Sequence, residues 1–165
     1  MSSSDHTQVS LGNETLDKVK NYLSEIGFKD VNFDAEKKVF LFSIVAKNDQ
    51  TGQESKYPVG IAMVGDFVGL EVAVADLKEA PGHLSREKIL EGLLTANFAW
   101  PEVNYALSGD IIVSVTWSHK DVLDGQNFAT EFGRAVFGAK NFGSIVKYAA
   151  ASANHPPKTF TPIYQ

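Results

Sequence analysis

The sequence predicts an α+β domain built on a largely antiparallel sheet of about five strands. Apolar and polar residues alternate through two stretches, 59–72 and 103–117, and a short polar turn containing glycine interrupts each stretch. Such tight turns join antiparallel neighbours. Apolar residues at helical spacing stand before, between and after the strands, so the expected element order is α-β-β-β-α-β-β-α. With 165 residues, 44% of them hydrophobic, the chain can bury one core.

The first helix is predicted to begin at Asn13, whose side chain can cap a helix start, and to end at Gly27. Between them the apolar residues recur at helical spacing: Leu16, Val19, Tyr22, Leu23 and Ile26. Residues 1–12 are Ser-rich and lack periodicity, so we expect a disordered N-terminal tail there. We expect one domain over 13–152 and an extended C-terminal tail over 153–165, which holds three of the six prolines.

The first long strand and the hairpin after it follow from side-chain type and alternation. The β-branched and aromatic run 39–46 predicts a strand covered on both faces for part of its length. In the next hairpin, a two-residue loop at Gly65-Asp66 places one apolar set on a single face: Val59, Ile61, Met63, Val68, Leu70 and Val72. The opposite face carries mostly small residues together with Phe67. This face is expected either to be a plain structural surface, exposed to solvent or packed against the protein, or to be a recognition surface.

The central hairpin, 103–117, is predicted to turn through a three-residue loop over Ser108, Gly109 and Asp110. That loop places one apolar set on a single face: Val103, Tyr105, Leu107, Ile111, Val113, Val115 and Trp117. We therefore expect Trp117 to lie in the core. Trp100 precedes Pro101, which disfavours helix at the residue before it, so Trp100 at a helix end is an interface candidate.

Two further helices flank the central hairpin. Ser85 is the expected N-cap of the first, whose apolar stripe ends before Trp100: Ile89, Leu90, Leu93 and Leu94. Asp124 is the expected N-cap of the second, with four residues predicted to point inward: Phe128, Phe132, Ala135 and Val136. Gly138 and Gly143 weaken its far end, so a break is expected near Asn141, followed by a short helix over 145–151.

Composition disfavours several classes of function. A net charge of −5 and a pI near 5.3 argue against broad binding of a phosphate backbone, which needs a basic face, so we expect no nucleic-acid partner. The chain has no cysteine, and its four histidines share no spacing that would converge on one ion, so we expect no metal. No apolar run approaches the ~18 residues that span a bilayer, and the N-terminus lacks a secretion signal, so we expect no membrane insertion and a cytoplasmic location.

No catalytic motif is complete. The segments Ser85-Arg86-Glu87-Lys88 and Ser144-Ile145-Val146-Lys147 both match Ser-x-x-Lys, but the companion segments of that acyl-transfer site are missing. Gly133, Gly138 and Gly143 follow no strand and lead to no Gly-Lys-Ser/Thr, so helix bending or close packing explains them better than a phosphate loop. We therefore predict no catalytic residue and no cofactor.

One stretch carries a family resemblance. Leu93-Leu94-Thr95-Ala96-Asn97-Phe98 closes a helix, and Tyr105-Ala106-Leu107-Ser108-Gly109-Asp110-Ile111-Ile112-Val113 follows it. With the element order over roughly 14–150, this resembles the type III secretion chaperone-like fold, and in particular the YbjN-like bacterial proteins grouped with it, in which a helix ending in leucine-leucine-x-x-Asn precedes a hairpin with a small polar turn. The resemblance implies an α+β domain, commonly a homodimer, that holds a partner polypeptide on exposed apolar surface. It supplies no catalytic residues.

Three functions remain open. The leading hypothesis is a non-enzymatic, chaperone-like protein that binds a polypeptide of unknown identity and forms a homodimer, with five expected partner contacts: Phe67, Trp100, Phe160, Ile163 and Tyr164. The alternative is a small-molecule-binding or enzymatic domain, with a pocket between sheet and helices near Tyr105, Ser114, Thr116 and His119. A third hypothesis, a structural or regulatory subunit, differs from the first only in the identity of the partner.

Overall fold

A six-stranded antiparallel sheet organises the part of the chain that the structure, a computed structural model, describes: residues 5–47, 51–80, 85–145 and 147. The elements in chain order are α1 (Asp5–Glu25), β1 (Asn32–Asp34), β2 (Val39–Lys47), β3 (Glu54–Val64), β4 (Phe67–Asp76), α2 (Arg86–Ala99), β5 (Tyr105–Ser108), β6 (Ile111–His119) and α3 (Gly125–Lys140). The strand order across the sheet is β1-β2-β3-β4-β6-β5. The predicted fold class and element order are confirmed, with one strand more than expected because the short β1 pairs with the start of β2.

The hairpin of β3 and β4 has the predicted register. Met63 pairs with Val68, Ile61 with Leu70 and Val59 with Val72, which leaves Gly65 and Asp66 as a two-residue loop. Gly65 has φ +61°. A positive φ at the first central residue is what a type II′ turn requires, and glycine adopts it without steric cost. All six apolar residues of the pattern therefore lie on one face of the sheet.

The central hairpin differs from the prediction. Ser108 pairs with Ile111, so the loop has two residues, Gly109 and Asp110, and not three. The shift of one residue turns β6 over: Tyr105 now shares a face with Ser114, and Trp117 points to the opposite face. The predicted apolar face is therefore wrong, and so is the core position of Trp117, which is half exposed.

Close packing by α3 explains why hydroxyl side chains of β6 turn inward. α3 runs along β6: Ser118 Oγ lies 3.1 Å from Asn127 Oδ1, and Thr116 Oγ1 donates to the carbonyl oxygen of Glu131 at 3.4 Å. Further along, the Gly138 backbone lies so close to the sheet that a Cβ there would overlap Ser114 Oγ. Larger apolar side chains at these β6 positions would hold the helix away from the sheet.

One face of the sheet is covered by helices. The main core joins α1 and α3 to β2, β3 and β4, and its largest fully buried side chains are Phe128, Leu23, Ile61, Val19, Val59 and Val72. A second cluster lies under α2 beside β5: Leu93, Ala96, Val103, Tyr105, Ile112 and Ile145. On β2, Phe40 and Ile44 join the main core, whereas Leu41 and Val45 are exposed. The prediction that β2 is covered on both faces for part of its length is therefore wrong.

The helix ends mostly agree with the predicted caps. Ser85 Oγ accepts from Lys88 N, and Asp124 Oδ1 accepts from Asn127 N. α3 ends at Lys140 with Asn141 as its cap, as predicted, and a helical turn follows over 142–145. The remainder of the predicted helix over 145–151, apart from the helical Lys147, lies outside the described residues, as does the tail 153–165.

The start of α1 differs from the prediction. The helix begins at Asp5, so the segment predicted to be a disordered tail is helical from there onward, and Asn13 lies inside the helix. Val9 stands two helical turns before Leu16, and no proline interrupts the segment between them. The apolar spacing of the helix therefore extends further back than the cap at Asn13 suggested.

Candidate functional site

The sheet leaves one face without a described helix. The buried residues that α1, α2 and α3 contact all lie on the other face, because side chains alternate along each strand. We call the face without a described helix the open face. It carries Leu41 and Val45 of β2, Gly60, Ala62 and Val64 of β3, Phe67, Gly69, Glu71 and Ala73 of β4, and Val113, Val115, Trp117 and His119 of β6.

Large apolar side chains are exposed on the open face. Phe67 is 48% exposed and Trp117 is 49% exposed, and three aliphatic side chains are also exposed: Leu41, Val45 and Val64. Val113 and Val115 on the same face are buried. Monomeric soluble proteins seldom leave contiguous apolar patches of this kind uncovered unless the patch binds something.

Three aromatic rings form one end of the open face. Trp117 lies against Gly69, where a Cβ atom would come within 2.5 Å of the indole ring. Phe67 lies directly opposite His119, and their rings meet edge to face with centroids 5.2 Å apart. Because Gly69 has no side chain, the indole can lie over the strand and present its outer surface to solvent. We call Phe67, Trp117 and His119 the aromatic patch.

Contacts between the β3–β4 turn and the residue that follows β6 hold one edge, or rim, of the aromatic patch in place. Lys120 Nζ lies 2.6 Å from Asp66 Oδ1, and the backbone N–H of Lys120 donates to the carbonyl oxygen of Asp66 at 2.8 Å. The hydrogen bond and charge of Lys120 hold the pKa of Asp66 below its usual value, and Asp66 raises the pKa of Lys120 in return. Both groups stay charged at neutral pH, which ties the turn before Phe67 to the end of β6.

A second apolar surface lies on α2. Leu94 is 71% exposed and Phe98 is 79% exposed, and their spacing of four places both on one side of the helix. The other side of α2 packs through Leu93 and Ala96 onto the cluster beside β5. The exposed side forms no part of either core.

Asn97 fixes α2 to the edge of the sheet. Its side-chain amide donates to the carbonyl oxygen of Tyr105 at 3.0 Å and accepts from the backbone N–H of Tyr105 at 2.7 Å. Both backbone groups of Tyr105 on the outer edge of β5 are therefore used. This pair of bonds gives a physical role to the Asn of the leucine-leucine-x-x-Asn motif, and it prevents another strand from pairing with β5 at Tyr105.

Comparison with known proteins identifies the fold. No protein-family model matches the chain, and no curated protein matches it. The structure of the ExsC–ExsE complex matches with a TM-score of 0.56 and 12% identity, over 82% of this chain and 96% of that one. The HopA1–SchA chaperone–effector complex matches with a TM-score of 0.54 and 12% identity, over 81% of this chain and 94% of that one.

The chain has a type III secretion chaperone-like fold. The predicted resemblance is thus confirmed at the level of the fold. The narrower likeness to YbjN-like bacterial proteins stays a prediction. At 12% identity these structures establish the architecture of the chain and leave its function to be argued from its own surfaces.

The predicted partner-binding residues fall in different places on this fold. Phe67 lies in the aromatic patch of the open face, as its alternation suggested. Trp100 is half-buried and packs against the cluster under α2, apart from Phe67. Phe160, Ile163 and Tyr164 lie outside the described residues, so the tail contacts remain predictions.

Besides Leu41 and Val45 of β2, the apolar residues Trp117, Leu94 and Phe98 are exposed against expectation. Trp117 was assigned to the core because the central hairpin was given a loop one residue too long. Leu94 belongs to the predicted apolar stripe of the helix, and Phe98 follows it at helical spacing. The spacing of Leu94 and Phe98 did show that they share a side of the helix, but it could not show that this side faces away from the sheet.

The alternative pocket does not form from the residues predicted for it. Tyr105 donates its hydroxyl to the carbonyl oxygen of Gly138 at 2.8 Å, and burial raises the pKa of this phenol, so it stays a neutral donor. Ser114 is buried under α3, and Thr116 is buried beside it. His119 points to the open face. The four side chains therefore share no cavity.

A groove and two absences complete the description of these residues. A groove of about 260 Å³ between α1 and the first two strands is lined by Leu16, Asp17, Lys20, Phe33 and Phe40. Within the described ranges, no group of three or more acidic or histidine side chains could hold a metal ion. None of the described helices is long and apolar enough to cross a membrane.

Proposed function

We propose that the chain is a non-enzymatic, chaperone-like protein that holds another polypeptide on the open face. The observation that carries the proposal is the set of large apolar side chains exposed there: Leu41, Val45, Val64, Phe67 and Trp117. Covering them returns roughly 25 cal/mol for each Å² of apolar surface removed from water, before the costs of association are subtracted. The likeness to a chaperone–effector complex supports the same function.

The charge of the chain fits this role. A net charge of −5 produces mutual repulsion between copies, which keeps an exposed apolar face in solution until a partner covers it. The identity of the partner and the expected cytoplasmic location stay predictions. A regulatory role would use the same surface with a different partner.

Affinity capture with matched variants tests the proposal. The tagged wild-type chain, the double variant Phe67→Ser/Trp117→Ser and the control Leu94→Ser/Phe98→Ser are expressed in the native host, and captured proteins are identified by mass spectrometry. Both double variants replace two large exposed side chains by serine, but on different surfaces. A partner is expected with the wild type and with the α2 control, and its loss is expected with the open-face variant.

Binding measured with purified components shows whether the captured polypeptide contacts the open face directly. The captured polypeptide is titrated into each variant by calorimetry, so that bystanders from the extract are excluded. The wild type should bind directly, and the open-face variant should bind at least tenfold more weakly, since two buried aromatic anchors are typical hot spots. Equal binding by the open-face variant, or the absence of any direct partner, would contradict the proposed function.

We also propose that the chain forms a homodimer through the exposed side of α2. A two-fold axis brings the same patch of both copies together, so Leu94 and Phe98 of each copy would be buried by the other. The family resemblance implies a homodimer, which supports a second copy of the chain as the partner of this surface. Sedimentation equilibrium should give a dimer for the wild type and for Phe67→Ser/Trp117→Ser, and a monomer for Leu94→Ser/Phe98→Ser. A monomeric wild type would rule the dimer out.

A further inference from the structure

Glu71 places a carboxylate in the middle of the open face. On β4 its neighbours on the same face are Gly69 and Ala73, and it lies directly opposite Gly60 on one side and Val115 on the other. It is half-buried, and among the described residues its side chain forms no hydrogen bond or ion pair. A partly buried charge without a partner is unfavourable, so a cation that reached this position would be stabilised.

The surroundings leave room for a long side chain next to this carboxylate. A Cβ at Gly60 would meet only the end of Leu41, at an ordinary contact distance of 3.8 Å. Trp117 is a diagonal neighbour of Glu71 across the ladder, because Gly69 pairs with Trp117 and Glu71 with Val115. Diagonal neighbours on a sheet lie about 7–8 Å apart, within reach of one long side chain.

The outer surface of the Trp117 indole suits a cation as well. The ring lies over Gly69 and is half exposed, and a guanidinium or ammonium over an indole face is attracted by the ring quadrupole. Lys120, the cation at the edge of the aromatic patch, is already paired with Asp66 at 2.6 Å. It therefore does not compete with an incoming cation for Glu71. Glu71 and Trp117 together present one anionic and one aromatic contact to the same incoming group.

We propose that the polypeptide held on the open face carries an arginine or lysine side chain that pairs with Glu71 and lies on the Trp117 ring. This inference rests on the proposed function and specifies the chemistry of the partner: an apolar segment that contains a basic residue. The net charge of −5 favours the same class of segment, because it attracts basic peptides and repels acidic ones.

Selection from a displayed library of random short peptides tests the inference without knowledge of the natural partner. Peptides are selected in parallel on the wild type, on Glu71→Gln and on Glu71→Lys. Apolar residues should be enriched on all three, whereas arginine and lysine should be enriched on the wild type only, and Glu71→Lys should favour acidic residues. A basic peptide from the wild-type selection should bind Glu71→Gln roughly tenfold more weakly or worse, the loss expected for a charge-assisted bond.

Two controls separate a local contact from a general charge effect. Glu87→Gln removes one exposed carboxylate from α2 and changes the net charge equally, so it should keep the preference for basic peptides. Trp117→Leu keeps the charge and should lower the affinity for arginine peptides more than for matched apolar peptides. Far-UV circular dichroism confirms that each variant is folded.

The possible failures are distinguishable. Peptides selected without basic enrichment, or equal enrichment on Glu71→Gln, would overturn this inference and leave the proposed function standing. If the wild type selects no peptide at all, both fail. If the wild type is a dimer that Trp117→Leu dissociates, a second copy of the chain occupies the open face, and the inference is likewise overturned.

Discussion

Gly138→Ala is expected to destabilise the chain, although replacing a glycine within a helix by alanine normally stabilises it by ~1 kcal/mol. The new Cβ would overlap Ser114 Oγ and lie 2.9 Å from Val103 Cγ1. Ser114 and Val103 are each only 1% exposed, so neither can move aside without disturbing the packing around it. Overpacking of this kind costs about 1–3 kcal/mol, which exceeds or cancels the gain in helix propensity.

The matched control is Gly133→Ala in the same helix. A Cβ at Gly133 would meet nothing within 4 Å, and this residue is exposed, so the substitution should raise the free energy of unfolding by up to ~1 kcal/mol. Urea denaturation followed by circular dichroism measures both variants. Adding Ser114→Gly to Gly138→Ala should recover part of the loss, which a double-mutant cycle would detect as coupling.

The result bears directly on the register of the central hairpin. With a two-residue loop, Ser114 lies under α3 and Gly138 must remain small. With a three-residue loop, Ser114 would point to the open face, and alanine at Gly138 would stabilise the chain just as alanine at Gly133 does. Equal stabilisation by both substitutions would therefore refute the packing described here.

Three further predictions concern single side chains. Asn97→Ala should lower the free energy of unfolding by about 1–3 kcal/mol, measured by urea denaturation, because two backbone groups of Tyr105 lose their partners; an unchanged midpoint would contradict the edge contact. Hydrogen bonds from Arg86 and Lys78 lower the pKa of Asp110 below its ordinary value of 3.8. The stability that the wild type has over Asp110→Asn should therefore be present above that pH and lost as the pH falls through the lowered pKa. If the free energy of unfolding fell with pH at the same slope in both proteins, this contribution of Asp110 would be excluded. Gly69→Ala should displace the Trp117 ring and change its fluorescence maximum, and an unchanged spectrum would show that the ring does not lie over Gly69.

The parts of the fold that local rules determine could be predicted from the sequence. The β3–β4 hairpin has a glycine at the position where a type II′ turn needs one, and its apolar residues fit only one register. Ser85 and Asp124 are N-caps because their oxygens accept from backbone N–H groups three residues later, a purely local interaction. These elements, taken in order, were enough to identify the fold class.

The central hairpin could not be predicted by the same rules. Counting apolar residues favours a face that combines Val113, Val115 and Trp117, yet the structure places Ser114 and Thr116 against the helix. The reason is the close approach of α3 at Gly138, a contact between residues far apart in the chain. Such tertiary packing overrides the local apolar pattern, and no feature of the hairpin itself reveals it.

In the candidate site too, features set by local rules could be predicted and features set by tertiary packing could not. Phe67 was predicted correctly on the face with few large residues, because alternation along one hairpin places it there. Leu94 and Phe98 were not separated from the buried stripe of α2, because the orientation of a helix depends on what it packs against. The role proposed for Glu71 depends on its neighbours across two ladders, which the sequence alone does not show.

Hydroxyl-radical footprinting of the chain with its purified partner reports the solvent exposure of individual side chains, so it shows whether the partner binds to the open face. We expect strong protection of Phe67 and Trp117 on binding, and no further change in the labelling of Phe98, which is 79% exposed in the single chain but lies on α2. Protection of Phe98 with no change at Phe67 and Trp117 would show that the partner binds elsewhere, and it would contradict the assignment of the open face as the binding surface.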